Sequence, residues 1–181
     1  AKDHSSPGKA PALKGWQEYT ATAEDITKWS RSRQRCGIGI NTTRTPAVDI
    51  DVLDRELSDQ MAEFVLDLLG PAPLRIGRAP KKLLVYRAEK PFAKVKSHTW
   101  INDDGDRCAV EILGHGQQFV AFGIHPGTGK PFTWPSGDSP LNNDANFDLN
   151  EIDLPAARAI CDEFDARAKA LGWEKDQKAS P

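Results

Sequence analysis

Two acids embedded in an apolar run constrain this chain more than any other feature. The run is Ala47 to Leu53, with Val48-Asp49-Ile50-Asp51-Val52 at its centre. Read as a strand, its side chains alternate between faces. Asp49 and Asp51 then share one face, and Val48, Ile50 and Val52 take the other. Like charges about 7 Å apart on a half-buried face repel each other and lose hydration. A cationic group between them removes that cost. A pair of divalent metals held by carboxylates, with phosphates as further ligands, is the leading reading. An edge strand with one solvated acidic face is the alternative.

Bulk charge does not point to nucleic acid, because the 181 residues carry a net charge of −2. The local distribution is more informative. Between Arg75 and Lys96 lie Arg75, Arg78, Lys81, Lys82, Arg87, Lys90, Lys94 and Lys96, with Glu89 as the only acid. A basic stripe beside an acidic strand is the footprint expected for a phosphate-bearing partner, and a solvated surface of two strands is the plainer reading. Cys36, Cys108 and Cys161 are widely spaced and include no C-x-x-C pair, so zinc and a disulfide framework are not expected. Three reduced, mostly buried thiols in a cytosolic protein are expected instead. No apolar run approaches the roughly 18 residues of a membrane span, and no signal-peptide pattern opens the chain. The first residue is Ala rather than Met, which reads as a trimmed N-terminus.

The length suits one domain. Residues 1–14 read as a loose tail, 15–175 as the domain, and 176–181 as a second tail. Thr22 followed by Glu24 and Asp25 reads as a helix start, with Ile26 and Trp29 paired and Arg31, Arg33 and Arg35 closing the helix. Gly37 to Ile40 reads as a short buried strand with close backbone approach. A strong helix is expected at 55–69, where Leu57, Met61, Phe64, Val65, Leu68 and Leu69 recur at helical spacing before Gly70-Pro71. Strands are expected at 74–77, 83–87, 108–113 and 118–124, with a hairpin turn at 102–106. Residues 126–140 are rich in Gly, Pro and Ser, with Trp134 as an anchor, and 141–153 read as irregular. A last helix opens at Leu154-Pro155, with Ala159, Ile160, Phe164 and Leu171 as its apolar face. The class is mixed α and β, with a largely antiparallel sheet in the second half.

Glu111 is a third acid in a similar setting, between Val110 and Ile112. Such an acid is costly unless paired or metal-bound. Gly114-His115-Gly116-Gln117-Gln118 follows, a turn in which backbone can approach a ligand. Gly123-Ile124-His125-Pro126-Gly127-Thr128-Gly129 ends the next strand, and His125 is placed to hydrogen-bond a phosphate or sugar. Together with Lys14-Gly15-Trp16, the helix ending at Trp29, Gly37-Ile38-Gly39-Ile40 and Arg75-Ile76-Gly77-Arg78-Ala79-Pro80-Lys81, these pieces make an ordered set over about residues 14–135. The set resembles the bifunctional primase–polymerase (prim-pol) domains of plasmids and phages, within the archaeo-eukaryotic primase superfamily.

The resemblance implies an α+β fold with an RRM-like catalytic core and a small N-terminal α/β element. It implies a template-dependent DNA primase/polymerase of a prokaryotic cytoplasm, encoded by a plasmid or phage. Asp49, Asp51 and Glu111 would be catalytic and would bind two Mg²⁺ or Mn²⁺ ions. Arg75, Arg78, Lys81, Lys82, Gln118 and His125 would meet the incoming (d)NTP. Arg87, Lys90, Lys94 and Lys96 would follow the phosphates of the DNA template and primer, and Trp100 and Trp134 are candidates for base stacking or for anchors. A replicative helicase would be a partner, in the same chain or another. One departure stands out. The family usually carries a small-x-His motif between its acidic strands, and Ala79-Pro80-Lys81-Lys82-Leu83 has lysines there. Lys81, Lys82 or His125 would then supply that phosphate contact. Two rival readings use the same residues: a metal-dependent nuclease, disfavoured by Leu113 where many such sites place Lys, and a non-catalytic DNA-binding or origin-recognition module.

Overall fold

The computed structural model describes residues 11, 13–135, 137–140 and 149–177. Most of both expected tails, and most of the expected irregular stretch after residue 140, lie outside the described residues. Helix α1 (Ala23–Ser32) begins at a reciprocal cap. The Asp25 N–H donates to Thr22 Oγ1 at 3.2 Å, and the Thr22 N–H donates to Asp25 Oδ2 at 3.0 Å. Strands β1 (Ile38–Asn41) and β2 (Ala47–Asp51) follow. Helix α2 (Arg55–Leu69) is capped by Asp54 and closed by Gly70 at φ 85°, as its sequence predicts. Strands β3 (Leu74–Arg75), β4 (Lys82–Val85), β5 (Val95–Lys96), β6 (Trp100–Ile101), β7 (Arg107–Leu113) and β8 (Gln118–Phe122) precede helix α3 (Leu154–Ala170) and strand β9 (Glu174–Lys175).

The main sheet runs β3-β4-β2-β7-β6-β9, with β5 also on β7. All of its strand pairs are antiparallel. A second sheet is the antiparallel pair β1-β8. This is the expected α+β class, with antiparallel pairing extending into the first half of the chain.

Alternation along β2 separates the two faces of the main sheet. Val48, Ile50 and Val52 are fully buried beneath α2 (Leu57, Met61, Val65) and α3 (Ile160, Phe164, Ala168). On the opposite face, Ala47, Leu83, Val85 and Leu113 meet Phe119 and Ala121 of β8. That second layer covers one end of β2, and the face carrying Asp49 and Asp51 opens beyond it.

Several expected core positions differ. On α3 the buried stripe is Ala157, Ile160, Cys161, Phe164 and Ala168, while Ala159 is exposed and Leu171 is 55% exposed. The observed positions follow the i, i+3, i+4, i+7 rule from Ala157. Leu68 on α2 is exposed where the periodicity placed it inside. Strand β1 is not buried: Ile38 is 56% exposed, because β1 pairs with β8 outside the main sheet. Two of the three thiols are buried, as expected: Cys108 and Cys161 lie inside, where burial pushes the Cys161 thiol up to about 12, and Cys36 is exposed.

Candidate active site

Strand register assembles the site. Arg75 on β3 lies opposite Leu83 on β4, and Leu83 lies opposite Asp49 on β2. Asp49 lies opposite Glu111 on β7, and Glu111 lies opposite Lys96 on β5. One row across five strands therefore reads Arg–Leu–Asp–Glu–Lys on a single face. Directly opposed side chains in such a row have Cβ atoms about 5 Å apart. Asp51 stands two residues along β2, beside Ala109. The three acids that the sequence singles out thus share one face of two neighbouring strands.

Each is near positive charge. The Lys81 ammonium contacts Asp51 Oδ1. Lys94 Nζ lies 2.6 Å from Glu111 Oε2, and Lys96 Nζ lies 3.1 Å from Oε1. Burial pushes the Glu111 carboxyl up, but the hydrogen bonds and charges of Lys94 and Lys96 outweigh it and hold the carboxyl below its usual value. Asp49 acts electrostatically on the Arg75 guanidinium, opposing the downward push of burial.

A cleft beside this row is lined by Asp49, Asp51, Arg75, Arg78, Lys81, Lys82, Gln118 and His125, together with Phe132. Arg75 is clamped in it. Its Nη1 donates to the Val120 carbonyl at 2.7 Å, and its guanidinium carbon lies 4.7 Å from the centre of the Phe132 ring. Its Nε is buried with no hydrogen-bond partner. His125 packs edge-on to Phe132. The backbone N–H groups of Gly127 and Thr128 donate to His125 Nδ1 at 3.1 and 3.2 Å, which assigns the neutral ring's proton to Nε2. Gly77 permits this packing, since a Cβ there would sit 2.5 Å from Phe132 Cε1 and 3.0 Å from His125 Cδ2. The turn carrying Arg78 and Lys81 is tied to α2, where Ser58 Oγ donates to the Pro80 carbonyl at 2.7 Å.

The structure does not bring every candidate to the cleft. Lys82 lines the cleft, but its ammonium is engaged by Asp59 on α2. Arg87 pairs with Glu151 at 3.1 Å, and Lys90 is exposed; neither lines the cleft. Lys94 and Lys96 are engaged by Glu111. Trp100 is buried and donates its indole N–H to Asp165 at 2.7 Å, and Trp134 donates to the Ala121 carbonyl at 3.1 Å, so both serve as anchors. The sequence assigns Phe132 no role of its own. It lies in a Gly/Pro-rich loop with no periodicity to mark it, and the bridge between Ile76 and Thr133 brings it to Arg75.

Among the described residues, no three His, Cys, Asp or Glu side chains are grouped so as to hold one ion. The donor chemistry still suits hard divalent cations, since carboxylate oxygens are their usual ligands. Lysine ammonium groups pair with two of the three acids, Asp51 and Glu111.

The antiparallel sheet thus sets a row of carboxylates next to a pocket lined by guanidinium and ammonium groups. A family model for the bifunctional DNA primase/polymerase N-terminal domain matches residues 4–146, and the chain belongs to that family. No curated protein matches the chain. Membership places it among DNA primases and polymerases, whose substrates are DNA and nucleotides. No helix among the described residues is long and apolar enough to cross a membrane.

Proposed function

We propose that this chain is a template-dependent nucleotidyltransferase that extends primers, and that Asp49, Asp51 and Glu111 hold two Mg²⁺ or Mn²⁺ ions. The cross-strand row that sets all three carboxylates beside the cationic cleft is the observation that carries this reading. In the reaction a 3′-oxygen forms a bond to the α-phosphorus of a (d)NTP, and the bond from that phosphorus to the bridging oxygen of pyrophosphate breaks. Bound at the carboxylates, the ions would lower the pKa of the attacking hydroxyl and neutralise charge on the leaving pyrophosphate.

The chain's own groups do the rest. Arg75, held flat by Phe132 and Val120, offers further guanidinium donors to phosphate oxygens. Arg78 and Lys81 add charge from the turn tied to α2. His125 Nε2–H donates to a phosphate or sugar oxygen. Lys81 stands in for the family's usual histidine as a point-charge phosphate contact.

The decisive assay is extension of a labelled primer on a DNA template with Mg²⁺ or Mn²⁺. Extension that requires both nucleotide and metal is expected. Degradation of labelled DNA without nucleotides would overturn this reading in favour of a nuclease.

The lysine pairs make a second prediction. Lys94 and Lys96 compete with metal for Glu111, so Lys94→Gln/Lys96→Gln should tighten Mn²⁺ binding in the absence of DNA by about fivefold, the equivalent of one modest ion pair. Lys90→Gln should leave that affinity unchanged. Paramagnetic resonance of free Mn²⁺ during a titration reads both, and equal affinities in wild type and the double variant would show that the lysines do not compete.

A further inference from the structure

The segment from Leu13 to Gly39 contains no buried residue, yet it carries Trp16, Tyr19 and Trp29. Helix α1 buries none of its ten residues. A helix this short is marginal in water without a partner for its apolar side. Tyr19 and Trp29 pair with ring centres 6.0 Å apart, and Ile26 beside them is 58% exposed. Four bases lie on and just after the helix: Lys28, Arg31, Arg33 and Arg35. No ion pair engages Arg31, Arg33 or Arg35 among the described residues.

The chain just after this basic end abuts a strand that lines the cleft. Gly37 abuts the end of β8: a Cβ on Gly123 would lie 2.9 Å from the Gly37 Cα, and one on Gly37 would lie 3.3 Å from Val120 Cγ1. Val120 lines the cleft, and His125 follows Gly123 by two residues. Three of the four cations expected to follow DNA are already paired to acids, whereas these arginines are not.

We propose that α1 and the arginines after it form a docking platform for the single-stranded part of the template. Bases stack on the Trp29–Tyr19 pair, and Arg31, Arg33 and Arg35 follow the phosphates toward the cleft. Charge complementarity selects a polyanion, and the partly exposed Trp29 and exposed Tyr19 rings select unpaired bases over a duplex. The inference rests on the polymerase reading only for the identity of the strand that the platform guides.

The test is fluorescence anisotropy of a labelled oligothymidine in EDTA, where cleft metals contribute nothing. Arg31→Gln/Arg33→Gln/Arg35→Gln should weaken binding and flatten the logarithmic salt dependence by about 2, at roughly 0.7 per phosphate contact. Trp29→Ala should lose about tenfold in affinity, with Trp29→Phe close to wild type. None of these positions is buried, so the domain should remain folded. Wild-type affinity and salt slope in the triple variant would overturn the proposal. So would a dimer that Ile26→Asp dissociates without changing DNA binding, which would assign the face to a second copy. Primer extension by the same proteins separates the failures. Absent extension in wild type refutes the polymerase reading, whereas normal extension with unchanged oligonucleotide binding refutes only the platform.

Discussion

Asp49→Asn and Asp51→Asn should each lower primer extension about a thousandfold while leaving the fold intact. The magnitude is that expected when one preorganised electrostatic contact is removed from a transition state. Asparagine keeps the shape and loses the charge that attracts a divalent ion. Both side chains lie on the cleft face of β2, away from the layer filled by Val48, Ile50 and Val52. Neither substitution therefore opens a cavity. The result should differ between the two in one respect. Asp51→Asn frees Lys81 from its partner, whereas Asp49→Asn removes the charge that faces Arg75. Thermal melts of both variants near wild type, together with lost extension, would locate the chemistry on β2. Retained extension in both would remove these residues from the catalytic site.

Phe164→Ala should destabilise the domain by about 3–5 kcal/mol, the range for deleting a buried aromatic ring. Phe164 is fully buried on α3 and joins the cluster beneath β2. In a domain of this size that loss corresponds to a fall in Tm of about 10 °C or more. Leu171→Ala one turn past the end of that stripe should stay within about 0.5 kcal/mol, because Leu171 is 55% exposed. Chemical denaturation of the two variants tests the pair, and equal losses would contradict the burial pattern of α3.

The acids and the helix bounds were legible because their signals are local. Alternation around Asp49 and Asp51 assigns both to one face whatever β2 pairs with. The six apolar positions between Asp54 and Gly70 define α2 by their spacing, and the structure places that helix at 55–69 as expected. The buried face of the last helix is less legible. Apolar residues Ala159 and Leu171 are available at roughly helical spacing, and choosing the buried stripe requires knowing which side of α3 meets the sheet. Likewise the Gly37–Ile40 segment has the composition of an inner strand, but its partner is β8 in the small sheet.

Composition and spacing thus establish an α+β chain with three acids in apolar strands and a basic segment between them. Tertiary structure decides what each charge meets. Glu111 faces Lys96, fifteen positions earlier in the chain, because β5 and β7 pair in one register; a shift of one residue would turn that lysine to the opposite face. Arg75 finds the Val120 carbonyl and the Phe132 ring, both more than forty positions away. Pairing and register depend on how all the strands satisfy their backbone hydrogen bonds and bury their apolar faces together, so no local pattern encodes them. Asp54, Gly70 and the alternation of β2 act within a few residues, and those are the features that can be read without the fold.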